Sequence, residues 1–161
     1  MTAAAQVITV RAPADIAQAY RLFKAYAASL EVDLSYQGFA AELAGLPGDY
    51  APPGGALLLA KDANGEALGC VALRRLAPVG VCEMKRLYVV DAARGRGVGG
   101  VLISAVVSIA KDLGYREMRL DTLPTMTSAL DLYRQAGFQP IAPYYDTPIA
   151  GTVFLGLRLA G

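Results

Sequence analysis

Between Val89 and Ile103 the chain reads VVDAARGRGVGGVLI, an apolar strand running through a short glycine-rich turn into an apolar helix. Val98, Val101, Leu102, Ala105, Val106, Ile109 and Leu113 form one stripe at helical spacing, Lys111 falls in the last turn, and Gly114 supplies the stop. At the start of such a helix the first N–H groups lack partners within it, and the macrodipole is positive there. Gly95, Gly97, Gly99 and Gly100, with Val98 between them, let a bulky anion approach those groups because no Cβ stands in the way. Arg94 and Arg96 add charge-assisted donors for phosphate oxygens. The plainer reading is a glycine turn for tight helix packing beside two solvated arginines. So many glycines and both arginines at one helix start favour a pyrophosphate cradle instead.

The flanking sequence predicts what this turn is built into. Gln6–Arg11 alternates as a first strand, and Ala12–Leu30 reads as an amphipathic helix through Ile16, Tyr20, Phe23 and Ala27, with Asp15 near its start. Glu31–Gly55 holds a second short helix, Gln37–Ala44, and a loop rich in Gly and Pro. Strands follow at Ala56–Lys61, Leu68–Leu76 and Val81–Val90, joined by an Asn-Gly hairpin signal and by a Pro-Gly turn at Ala77–Gly80. Beyond the long helix come a strand (Arg116–Thr122), a helix (Met126–Ala136, ended by Gly137) and two strands (Phe138–Ala142 and Thr152–Leu159). Helices interrupting a sheet that begins antiparallel predict an α/β (α+β) fold in three layers, a mixed, mostly antiparallel central sheet flanked by helices. The 161 residues, 55 % of them apolar, read as one domain spanning 1–161 around one core.

Absences narrow the chemistry. The chain has no His, which removes Ser-His and Cys-His catalysis and every histidine metal motif. Cys70 and Cys82 lack CxxC spacing, make one disulfide at most, and suit a reduced cytoplasm. The formal charge of +1 argues against nucleic acid as a partner, and no apolar run or basic leader points to a membrane or to export. Gly95-x-Gly97-x-x-Gly100 matches the dinucleotide fingerprint, with Asp121 as a ribose-binding acid, but hairpins precede the strand where parallel βαβ units are required.

Arg94-x-x-Gly97-x-Gly99 after an apolar strand resembles the acetyl-CoA motif of the GNAT superfamily of N-acetyltransferases. Ala129-Leu130-Asp131-Leu132-Tyr133-Arg134-Gln135-Ala136-Gly137-Phe138 resembles that family's Ala-x-x-Leu-Tyr-x-x-x-Gly-Phe segment. The motifs cover roughly Val81 to Phe138, and the remainder agrees in element order. The resemblance implies an acetyl-CoA-dependent acyltransferase acting on a primary amine by direct attack in a ternary complex, with no metal. It leaves a homodimer open. It also implies that the strand before the cradle splays from its neighbour and offers Leu87, Tyr88 and Val89 to the pantetheine. A CoA-binding sensor without catalysis is the competing reading, and the dinucleotide-binding oxidoreductase a third.

Acyl transfer asks for an acceptor for the amine's proton and a donor for the departing thiolate. Glu83 lies eleven residues before Arg94, where some relatives carry a base. Strand alternation puts it on one face with Lys85, Leu87 and Val89, and a carboxyl beneath an apolar strand gains the raised pKa that a base needs. The alternatives are an ion pair with Lys85 or Arg86 on an exposed strand, and a water chain as base. Tyr133, by resemblance, reaches the CoA sulfur as general acid. A free phenol (pKa about 10) is a weaker acid than a thiol (about 8.5), so full transfer requires the site to lower it, whereas a hydrogen bond to the thiolate does not. Its plainer reading is core packing beside Leu130 and Ala129. Many relatives carry Asn seven residues before this Tyr; here it is Met126, with Thr125, Thr127 and Ser128 nearby. Asp121 and Thr122 fall near the acetyl group by analogy. Tyr36, Gln37, Asp49, Tyr50, Tyr144, Tyr145 and Asp146 are the candidates for the acceptor site, where tyrosines beside a carboxylate suit a cationic amine.

Overall fold

The structure, a computed structural model, describes residues 5–30 and 32–159. Residues 1–4 of the stretch read for a leader, and Glu31 at the head of the expected loop, lie outside the described residues. In chain order the elements are β1 (Gln6–Thr9), α1 (Pro13–Ser29), α2 (Phe39–Ala44), β2 (Ala56–Lys61), β3 (Ala67–Leu76), β4 (Val81–Val89), α3 (Val98–Asp112), β5 (Glu117–Thr122), α4 (Thr127–Gln135), β6 (Gln139–Pro140) and β7 (Val153–Arg158). The described strands form one sheet in the order β1-β2-β3-β4-β5-β7-β6. Neighbours are antiparallel except β4 and β5. This mixed, mostly antiparallel sheet carries α1 and α2 on one face and α3 and α4 on the other, as expected from the sequence. A lone parallel pair denies the dinucleotide reading the run of βαβ units it needs. No described helix is long and apolar enough to cross a membrane.

Strand β2 is apolar without alternation because both of its faces are covered. Leu57 and Leu59 pack under α1, and Leu58 and Ala60 under α3. Pro13 opens α1, where its missing N–H costs nothing. The second helix starts two residues late, at Phe39. Leu34–Gln37 forms a separate 3-10 turn capped by Asp33, and Gly38 at φ 71° breaks the path between the two. The expected strand over Phe138–Ala142 shortens to two residues because Pro140 and Pro143 remove ladder donors. Cys70 and Cys82 are free and buried, one on each face of the sheet, and burial pushes the Cys82 thiol up to about 12.

Two irregularities in β4 open the molecule. The first corrects the expected alternation. Arg86 takes the left-handed conformation (φ 61°), and the register with β3 slips between Cys70 and Ala72. This β-bulge inserts one residue, so Leu87 and Val89 join Cys82 and Met84 on the α3 face, while Tyr88 faces α1. Glu83 and Lys85 therefore do not share a face with Leu87 and Val89. The second is that β4 pairs with β5 only through Glu83↔Arg119, although both strands continue. Beyond that point they part.

Candidate active site

At the mouth of α3, the Val101 N–H is the first to bond within the helix, to Gly97 O at 3.1 Å. The N–H groups of Gly97, Val98, Gly99 and Gly100 precede it and have no helical acceptor. Gly95 and Gly97 lie at φ 77° and 80°, which L side chains rarely adopt, and open space surrounds Gly97 and Gly100. Val98 is buried and packs with Leu102 on Gly69 of β3. Gly99 departs from the expectation that it clears the way for phosphate. A Cβ there would stand 2.7 Å from Leu132 Cδ1, so Gly99 is small to let α4 pack on α3. Arg94 and Arg96 are exposed beside this helix start, and Arg94 Nε donates to Val89 O at 3.3 Å.

Where β4 and β5 part, a cleft forms, lined by Met84 to Leu87 on one wall and by Asp121, Thr122, Met126 and Tyr133 on the other. Tyr26 of α1 and the turn residues Tyr36 and Gln37 close its top. The Tyr133 ring is buried edge-on against Phe138, with centroids 5.8 Å apart. Burial, with Tyr26 and Asp121 nearby, pushes its phenol well above the ordinary tyrosine value. The site thus does not lower this pKa as a full proton donor would require. Met126 stands where the family's amide was expected, and the Thr122 hydroxyl points at its sulfur, 3.6 Å away.

Residues 16–138 match the acetyltransferase (GNAT) family. The chain belongs to the GNAT acetyltransferase family. It is 38 % identical over 154 residues to an uncharacterised N-acetyltransferase of Schizosaccharomyces pombe, covering 96 % of this chain and 94 % of that one. Its fold matches that of a GNAT-family acetyltransferase of Staphylococcus aureus with a TM-score of 0.81 at 20 % identity, over 98 % of this chain and 100 % of the other. A phosphinothricin acetyltransferase of Sinorhizobium meliloti, solved in complex with acetyl-CoA, matches with a TM-score of 0.72 at 21 % identity, over 98 % of this chain and 89 % of its own.

In this N-acetyltransferase Glu83 is buried, not on an exposed strand; of the two expected ion-pair partners Lys85 meets it only at long range and Arg86 does not, and its closest partner is Arg74. Arg74, directly across on β3, donates from Nε to Oε1 at 2.7 Å; Lys85 Nζ is 3.9 Å from the same oxygen, and Tyr144 donates to Oε2 at 2.6 Å. Both oxygens are engaged, and Glu83 does not line the cleft. Arg86 turns the other way. Its Nε and Nη2 bond Glu42 of α2 at 2.9 and 2.8 Å, and its guanidinium lies 5.1 Å from the Phe39 ring. Burial alone would raise Glu42, but the Arg86 hydrogen bonds and charge outweigh it and hold the carboxyl below the usual range.

Among the acceptor-site candidates, Tyr36 and Gln37 line the cleft and Tyr145 reaches it by donating to Asp121 Oδ2. Tyr144 touches Glu83 instead, and Tyr144, Tyr145 and Phe154 pack edge-on at 5.3 to 5.6 Å. Tyr50 belongs to the core, edge-on to Phe23 at 6.1 Å, and Asp49 and Asp146 are exposed away from the cleft. The sequence reading missed Tyr26, Arg74 and Glu42. Tyr26 had a signal, three residues after buried Phe23 on the same helical face. The other two had none, since their partners lie on other elements.

Proposed function

We propose that this acetyltransferase moves the acetyl group of acetyl-CoA to a primary amine, of a small molecule or a peptide, by direct attack while both are bound. The observation that carries the reading is the parting of β4 from β5 with Tyr133 in the opening, beside a helix start whose N–H groups lack helical acceptors. The residues fit acetyl-CoA. The N–H groups of Gly97 to Gly100, with Arg94, Arg96 and the left-handed turn at Gly95, suit its pyrophosphate, and open space beside Gly97 and Gly100 admits it. The main chain of Leu87, Tyr88 and Val89, past the bulge, would serve the pantetheine amides. When bound, the thioester supplies an activated acyl carbon.

The chain's own groups supply the rest. Burial keeps the Tyr133 phenol protonated, so its hydroxyl donates a hydrogen bond to the departing sulfur, a contact that strengthens as charge develops there. Glu83 accepts the amine's proton at a distance. Tyr144 lies outside the cleft lining, so a water would carry the proton to its oxygen while its own hydroxyl proton passes to Glu83 Oε2 along a hydrogen bond already made. Two free, buried cysteines suit a reducing compartment such as the cytoplasm. The test is thiol release from acetyl-CoA across a panel of amines. Release that depends on a primary amine supports the reading; binding of acetyl-CoA with no amine-dependent release leaves a CoA-binding module.

A further inference from the structure

Among the described residues, charges around the cleft pair off closely with two exceptions. Arg74 meets Glu83 at 2.7 Å, Arg86 meets Glu42 at 2.8 Å, and Arg119 meets Glu117 at 2.7 Å. Two charged groups of opposite sign remain on facing walls. Lys85, on β4, has its nearest carboxylate oxygen among the described residues at 3.9 Å, and that oxygen already accepts from Arg74. Its hydrogen bond goes to a neutral amide, Gln37 Oε1, at 3.3 Å. Asp121, on β5, accepts from the neutral Tyr145 hydroxyl, and among the described residues no cation lies within 4.0 Å of it. Both line the cleft that Tyr133 lines.

We propose that the acceptor is a small zwitterion, an amine that carries its own carboxylate as an amino acid does, with the amine end at Asp121 and the carboxylate at Lys85. The inference rests on the amine-acetylating reading above and narrows it. Asp121 and Tyr133 line the same cleft, which puts the amine-binding end in the opening that holds the leaving-group donor. The Lys85 side chain is 8 % exposed, and burial holds its ammonium below the usual lysine value despite the pull of Glu83. An arriving carboxylate supplies a closer counter-ion than Glu83, whose near oxygen is 3.9 Å away and shared with Arg74, and Gln37 and Tyr36 offer further polar contacts at the same wall. In a peptide or protein the carboxyl next to the N-terminal amine is consumed in an amide bond, so that end carries no α-carboxylate for Lys85.

The experiment compares matched acceptors, each amino acid beside its carboxamide and its decarboxylated amine, by thiol release from acetyl-CoA. At least one free amino acid is expected to exceed its carboxamide by tenfold or more in kcat/KM, chiefly through KM. Lys85→Met should bring that ratio close to one, with Lys85→Gln as a second variant should the first not fold; the rise in Tm on adding acetyl-CoA reports folding. Equal use of acid and carboxamide by the parent overturns the zwitterion, as does a variant that keeps the parent's ratio. A peptide with a free N-terminal amine completes the panel: release with the peptide alone overturns the zwitterion, and release with none of the amines overturns the amine-acetylating reading itself. Release with only the carboxamides or decarboxylated amines overturns the zwitterion and leaves that reading standing.

Discussion

Tyr133 keeps its proton because its ring is buried against Phe138 with an acid nearby, so its contribution is a donated hydrogen bond. Tyr133→Phe retains the ring and removes the hydroxyl. It should lower kcat on the order of a hundredfold while leaving acetyl-CoA affinity nearly unchanged, and the defect should shrink with a better leaving thiol. Equal turnover under chemistry-limited conditions would return Tyr133 to the core. Glu83 and Tyr144 form one link, so Glu83→Gln and Tyr144→Phe should each slow turnover and the double variant should be little slower than either. Additive defects in steady-state kinetics would separate the two residues and move the proton to water.

At the scale of elements, α3 contains two kinds of glycine. Gly100 faces open space, so Gly100→Val places side-chain atoms beside the proposed pyrophosphate site without disturbing the fold. It should weaken acetyl-CoA by about tenfold or more, the value of one charge-assisted hydrogen bond, with Tm nearly unchanged. Gly99→Val drives a side chain into Leu132 and should cost about 1–3 kcal/mol of stability by overpacking. Thermal melts and acetyl-CoA titrations of the two variants separate the effects. Tight binding by a folded Gly100→Val would misplace the cradle. The β4 bulge is the other decisive feature, since one inserted residue sends Lys85 and Leu87 to different faces.

For the molecule as a whole, the Arg86–Glu42 pair ties the α2 side to the sheet across 44 residues of sequence. Glu42→Gln leaves the buried Arg86 guanidinium without its counter-ion and should destabilise the protein by about 3 kcal/mol. The Glu42 carboxyl lies below the usual range in the folded state, so its contribution is present above the unfolded carboxylate value of about 4.3 and is lost as pH falls through the lower folded value. Urea melts from neutral to acid pH should show a loss of stability in the parent that is blunted in Glu42→Gln. Identical curves would remove the pair from the account.

The elements were legible because their signals are local. Apolar period, Pro13, the hairpin turns and the glycines of α3 act within a few residues, and the ends of the strands and helices fall within two residues of where those signals place them. The glycine turn that opens α3 and the helix that carries Tyr133 were legible for the same reason, each being marked by a contiguous motif. The partner of each charge was not. Glu83 pairs with Arg74 because antiparallel register sets them directly opposite, although Lys85 and Arg86 are nearer in sequence. Nor was the bulge, since no glycine marks Arg86. Its left-handed backbone accompanies a guanidinium held by Glu42 and a carbonyl that accepts from the Cys70 thiol, contacts from two other elements. Local periodicity sets what each segment becomes. Which charges meet in the cleft, and which are left over for a ligand, depends on register and depth, and these exist only once the sheet has formed.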